Sequence, residues 1–153
     1  MELCSEYLLD LTADGLSING LPCGVTPVPA QVMEALGEPS RILRVKPEIA
    51  ANRERWVFDE LGIAALVEDN GAILHDICVY FETGYERLPE LAEPMPKQAC
   101  SGTVRLGRYR LRRGVSFAAA MQVESVRLNG FRILTSEHED RVATCDIAMP
   151  LLS

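Results

Sequence analysis

The residues that could do chemistry in this chain are few and scattered. There are two histidines, His75 and His138, and five cysteines, Cys4, Cys23, Cys78, Cys100 and Cys145. No two cysteines stand at a metal-ligand spacing, and buried free thiols in a reducing compartment are the expectation. Cys78 lies in the apolar run Ile77 to Phe81. If that run is a regular strand, His75 and Cys78 fall on opposite faces, which argues against a thiol–imidazole dyad. The carboxylate pairs Asp59/Glu60, Glu68/Asp69 and Glu139/Asp140 are sequence neighbours and read as solvated turns, not as acid–base partners. The glycines do not cluster into a phosphate-binding loop. Ser17 and Ser116 each follow a glycine by two residues, but Asn19 and Ala118 stand where a nucleophile elbow needs a second one. No catalytic residue, metal or cofactor is expected. One basic run remains, Arg105, Arg108, Arg110, Arg112 and Arg113, with Tyr109 placed to stack on a base.

Charge weighs against that run serving nucleic acid. The 153 residues carry a net charge of −7, unevenly spread. Residues 1–101 hold 17 acids and 7 bases, and residues 102–153 hold 5 acids and 8 bases. Such a chain repels nucleic acid and anionic membranes and attracts basic proteins. The arginines are then expected to face the acidic first half or to border a homodimer. The longest apolar stretches, such as Ile63 to Val67, span five residues, against the roughly twenty of a membrane helix. The first residues carry acid where a signal peptide carries base, so a cytoplasmic location is expected.

The elements that would position these groups read as an α+β fold of antiparallel β meanders with one or two short helices on one face. A hairpin is predicted from Leu16-Ser17-Ile18, Asn19-Gly20 and Leu21-Pro22-Cys23. Thr26 is placed to cap a helix from Pro27 to Leu36 whose apolar face is Val28, Val32 and Leu36, with Gly37 ending it. Strands follow at Ile42–Val45, Arg55–Asp59, Gly62–Val67 and Ala72–Phe81, the last with Ile73, Ile77, Val79 and Phe81 on one face. The proline-bearing stretch 83–101 reads as a linker or surface loop between a first half, 1–82, and a second, 102–153, in one compact unit. In the second half the strand–turn–strand and capped-helix pattern recurs, with Ser116 as the cap. This allows two related halves. A hairpin around Asn129-Gly130 and a final strand Arg141–Met149 complete the pattern.

The segments Leu16 to Gly20, Gly24 to Pro27, Leu36-Gly37-Glu38-Pro39-Ser40-Arg41-Ile42, Val57-Phe58-Asp59-Glu60-Leu61-Gly62-Ile63 and Gly71-Ala72-Ile73 together resemble a bacterial domain type. That type is similar to the immunity proteins of polymorphic toxin and type VI secretion systems. The Leu-Gly-x-Pro-x-Arg element is also similar to outer-membrane assembly lipoproteins and β-lactamase inhibitor proteins, from which the acidic N-terminus sets this chain apart. The resemblance covers about residues 16 to 81. It implies a non-catalytic protein that binds a cognate toxin and covers its active site. Glu68, Asp69, Asn70, Glu82, Tyr85, Glu86 and Glu90 are the candidate contacts, from the central turn and the proline-bearing loop. The motif glycines, Pro39 and Asp59 are expected to shape the backbone. Two other readings stay open: a small-ligand-binding or enzymatic α+β domain, and an effector chaperone or adaptor.

Overall fold

The computed structural model describes residues 5–46, 48, 52–68, 70–84 and 95–150. In chain order the strands are β1 Tyr7–Thr12, β2 Gly15–Ile18, β3 Leu21–Gly24, β4 Arg41–Arg44, β5 Arg53–Phe58, β6 Ile63–Glu68, β7 Ile73–Tyr80, β8 Thr103–Leu106, β9 Tyr109–Leu111, β10 Arg132–His138 and β11 Arg141–Ala148. Helix α1, Pro29–Leu36, lies between β3 and β4. Helix α2, Phe117–Ala120, runs into a 3-10 turn, Met121–Ser125, before β10. Five strands form a mixed sheet in the order β3-β2-β1-β8-β9, and six form an antiparallel sheet in the order β10-β11-β7-β6-β5-β4. This is an α+β fold dominated by antiparallel pairing. One buried cluster joins the two sheets, with Leu9, Leu16 and Val104 from the first and Phe58, Ile77 and Ile147 from the second.

The sheets do not follow the sequence halves. The β8–β9 hairpin joins the first sheet through a parallel pairing of β8 with β1. Strands β10 and β11 join the second sheet through β7. Both strand–turn–strand–helix units therefore flank β1, one on each side. The boundary at 82 marks where the chain leaves the six-stranded sheet, and that at 102 where it returns to the five-stranded one. Most of the 83–101 stretch lies outside the described residues.

The first predicted hairpin forms as β2–β3, with Asn19 (φ 47°) and Gly20 (φ 86°) in the positive-φ pair that a two-residue turn demands. The Asn19 side chain donates to the Ala35 carbonyl at 3.2 Å, tying the turn to the end of α1. That helix starts two residues later than predicted. Pro29 is its first residue, and the Val28 backbone N–H is satisfied by the Gln31 side chain at 2.9 Å, so Thr26 is not the cap. The buried face becomes Pro29, Val32 and Leu36, and Val28 is 41% exposed. Ser116 does cap α2, accepting from the Ala119 N–H at 3.3 Å.

Three departures from the predicted strands trace to two bulges and one turn without glycine. A bulge at Leu8 in β1 pairs Tyr7 with Thr103 and Leu9 with Val104, so two steps on one strand oppose one on the other. Leu8, Leu9 and Leu11 all enter the core, and the broken alternation hides β1 from a period-two reading. A second bulge at His75 puts Leu74, not Ile73, on the core face with Ile77, Val79 and Phe81. The predicted hairpin at Asn129-Gly130 is a turn leading into β10. The hairpin itself turns at Glu139-Asp140, where both residues adopt positive φ (52° and 63°).

Candidate functional site

Of the predicted contact residues, Glu68, Asn70 and Glu82 are described. Asp69, Tyr85, Glu86 and Glu90 lie outside the described residues. Glu68 closes β6, with its Oε2 2.6 Å from His75 Nε2 and its Oε1 3.9 Å from Arg53 Nε. Asn70 is exposed in the same turn, at φ 56°. Glu82 corrects the sequence reading. It is only 7% exposed, and its carboxylate faces Arg141 Nε at 3.4 Å and Arg113 Nη2 at 3.7 Å. It is a buried ion-pair centre beyond the end of β7. Strand β7 lies between it and the Glu68 end, and the seven steps from Ile73, the partner of Glu68, to Tyr80 span about 23 Å at the rise of a strand. The three described residues do not form one site.

The motif residues converge instead on a structural clamp. Arg41 forks onto Asp59, with Nε to Oδ2 at 3.0 Å and Nη2 to Oδ1 at 2.8 Å. Arg41 Nη2 also donates to the Met95 carbonyl at 2.9 Å, and the Lys97 N–H donates to Asp59 Oδ1 at 3.0 Å. The Asp59 N–H donates to Ser40 Oγ at 2.9 Å. Burial works against the Asp59 charge, but Arg41 and the Lys97 amide outweigh it and hold the carboxyl below its usual range. Gly62 lets the crossing segment pass. A Cβ there would stand 2.2 Å from the Cys100 nitrogen. The segment 95–100 is thereby pinned to the six-stranded sheet, with Met95 packed on a second buried cluster of Val57, Ala64, Cys78 and Tyr80 beside Leu43, and Cys100 reaching the main core.

The thiols are quiet. Cys23, Cys78, Cys100 and Cys145 are free and buried, and Cys4 lies outside the described residues. Burial raises the Cys78 thiol well above its usual range, and the negative charges of Asp146 and Asp76 raise it further. Burial pushes Cys100 up to about 11 and Cys145 higher still. The bulge at His75 removes the alternation argument for its side of the sheet. Its ring is nonetheless engaged with Glu68, and the charged groups around Cys78 are Asp146, Asp76 and Arg55.

The arginine run divides. Arg105 forks onto Asp10, with Nε to Oδ1 at 2.8 Å and Nη2 to Oδ2 at 2.6 Å. Arg113 lies against Glu82, so two of the five do face the acidic first half. Arg108 donates to the Tyr109 hydroxyl at 2.9 Å, which pulls that phenol below its usual range. Arg105 and Arg110 sit over the Tyr7 ring at 4.4 and 5.6 Å. Tyr7 was not singled out from sequence. Without the bulge it would share the core face of Leu9 and Leu11. The adjacent leucines at 8 and 9 are the signal that could have exposed it. Beside it opens a cleft of about 410 Å³ lined by Glu6, Tyr7, Thr103, Arg110, Arg112 and Val115.

Two packed sheets, a clamp built from motif residues and an arginine-bordered cleft define a small α+β domain. The family model described as a domain of unknown function (DUF7738) matches residues 8–119, and the chain belongs to that family. No curated protein and no solved structure matches it. Among the described residues, no helix is long and apolar enough to cross a membrane.

Proposed function

We propose that this chain is an immunity protein that binds a cognate antibacterial toxin and silences it by covering its active site. The observation that supports this reading is how the arginines are used. Arg41, Arg105 and Arg113 are directed at Asp59, Asp10 and Glu82 within the fold. Each such pair removes a base as well as an acid from the outward field, so the net −7 remains on the other groups. A field of that sign draws a basic partner and accelerates the encounter. Of the described contact residues, Glu68 and Asn70 in one turn reach solvent, and Glu82 leaves the set because it is buried. A few apolar anchors beside that turn would supply most of the affinity.

The test is co-expression with the toxin-like C-terminal domain of a neighbouring reading frame. The expected result is restored growth, a co-purifying complex and an association rate that falls with salt. An effector chaperone would co-purify and leave the toxin active. Growth arrest despite intact, folded protein overturns the proposal. Glu68→Lys with Asn70→Lys is expected to slow association about tenfold, read by stopped-flow or surface plasmon resonance.

A further inference from the structure

We propose that the cleft beside Tyr7 is a binding site for a small phosphate-type oxyanion, either free phosphate or the phosphomonoester of a small metabolite. The argument starts from the bulge at Leu8. It moves Tyr7 off the inter-sheet cluster and onto the opposite face, where it stays buried (8% exposed) beneath Arg105 and Arg110, which are direct cross-strand partners. The Tyr7 ring supports both guanidinium groups from below. Asp10 neutralises Arg105. Arg110 and Arg112, two residues apart and both exposed, have no carboxylate partner among the described residues. Two forks outside any ion pair among the described residues leave the mouth of the cleft net positive even with Glu6 beside them, and their planar donors suit the several oxygens of a phosphate better than a monocarboxylate.

The volume, about 410 Å³, lies in the small-ligand range. The Thr103 hydroxyl adds a neutral donor to the lining. Glu6 also lines the cleft, and its carboxylate can accept from a hydroxyl or amine on the ligand while opposing a bare anion. A polyanion is disfavoured by the net charge of −7, which leaves this patch as an isolated basic spot.

The experiment is isothermal titration calorimetry at low salt with sodium phosphate, glucose 6-phosphate and glucose. Wild type is expected to bind at least one of the two phosphates and not glucose. Arg110→Ala and Arg112→Ala should each weaken that binding about tenfold or more, while Arg112→Lys retains part of it. Both arginines are exposed, so the thermal midpoint of Arg112→Ala should stay at the wild-type value and that of Arg110→Ala, which loses its seat over Tyr7, should fall by no more than a few degrees, which separates lost binding from lost folding. Tighter binding of the ester, relaxed by Glu6→Gln, assigns the site to a phosphorylated metabolite. Tighter binding of phosphate, strengthened by Glu6→Gln, assigns it to the free anion. Either outcome supports the site. Three outcomes overturn it: no heat with either phosphate at millimolar concentration, equal binding to the double arginine variant, or arginine-dependent binding of a single-stranded oligonucleotide where neither small phosphate binds.

Discussion

Each sheet has an arginine–aspartate fork, and the two forks do different work. Arg41–Asp59 and Arg105–Asp10 are both bidentate at hydrogen-bond distance. Their arginines are almost equally exposed, at 35% and 34%, but the aspartates differ, at 8% and 19%. Asp59 also receives the Lys97 amide, and its own amide is fixed by Ser40, so its fork holds three backbone segments together. Asp10 has Arg105 alone among the described residues. The first fork closes a face of the six-stranded sheet under residues 95–100. The second leaves a face of the five-stranded sheet open and sets the charge of its surface. One pairing thus serves as a buried clamp or a surface fixture according to how much backbone it also gathers.

The largest predicted effect follows from the closure. Gly62→Ala places a Cβ 2.2 Å from the Cys100 nitrogen at φ +70°, a collision of the new methyl with backbone that no rotamer relieves. A loss of about 4 kcal/mol or more is expected, at the upper end for single substitutions. Gly84→Ala is the control. Its φ is +79°, but nothing among the described residues lies within 4 Å, so only the left-handed strain of roughly 1–2 kcal/mol applies. Urea denaturation of the two variants should separate them clearly. Equal losses would mean that the crossing segment does not bear on Gly62.

The forks themselves come next. Asp59→Asn leaves Arg41 without its carboxylate and should cost about 3 kcal/mol. Asp10→Asn should cost no more than about 1 kcal/mol, as for an ion pair near the surface. The pH dependence has a fixed sign. Arg41 and the Lys97 amide depress the folded Asp59 below its usual value in spite of burial. The stabilisation is therefore complete above the unfolded carboxyl value of about 4, and is lost as pH falls through the lower folded value. Urea midpoints measured from pH 7 down to pH 3 should show the gap between wild type and Asp59→Asn narrowing only in that acid window. A constant gap would assign the cost to packing.

These partners explain what the sequence could and could not disclose. Turn chemistry made β2–β3 and β8–β9 legible, and apolar runs made β5, β6 and β7 legible, because those signals are local. Strand β1 was hidden by its bulge, and the β10–β11 turn by positive φ at Glu139 and Asp140, which have no glycine to announce it. Motif residues such as Asp59 and Gly62 were readable as scaffold, but not the partners they meet. Asp59 reaches Arg41 and Lys97, and Gly62 reaches Cys100, through tertiary closure. Glu82 was misplaced for the same reason. Nothing beside it announces that Arg113 and Arg141 will bury its charge. Tyr7 is the reverse case, a core-patterned position carried to the opposite face by one extra residue and buried there under arginines.

The smallest predicted effect lies at the sheet edges, where the same contrast between sheets recurs. In the five-stranded sheet the edge strand β3 carries Pro22, which has no N–H to offer a neighbour. In the six-stranded sheet the edge strand β10 leaves the Thr135 N–H facing away from β11, with Leu134 exposed beside it. Glu124, from the 3-10 turn, covers that donor. Its Oε2 accepts from the Thr135 N–H and Oγ, both at 2.8 Å. Glu124→Ala should therefore cost only about 1 kcal/mol, but it opens the edge to a second chain. Analytical ultracentrifugation of the variant should show concentration-dependent self-association beyond that of wild type, suppressed by adding Leu134→Lys. Pro22→Ala should change stability by less than about 0.5 kcal/mol. If the Glu124 variant stays at the wild-type mass at high concentration, the carboxylate fixes the 3-10 turn in place and does not guard the edge.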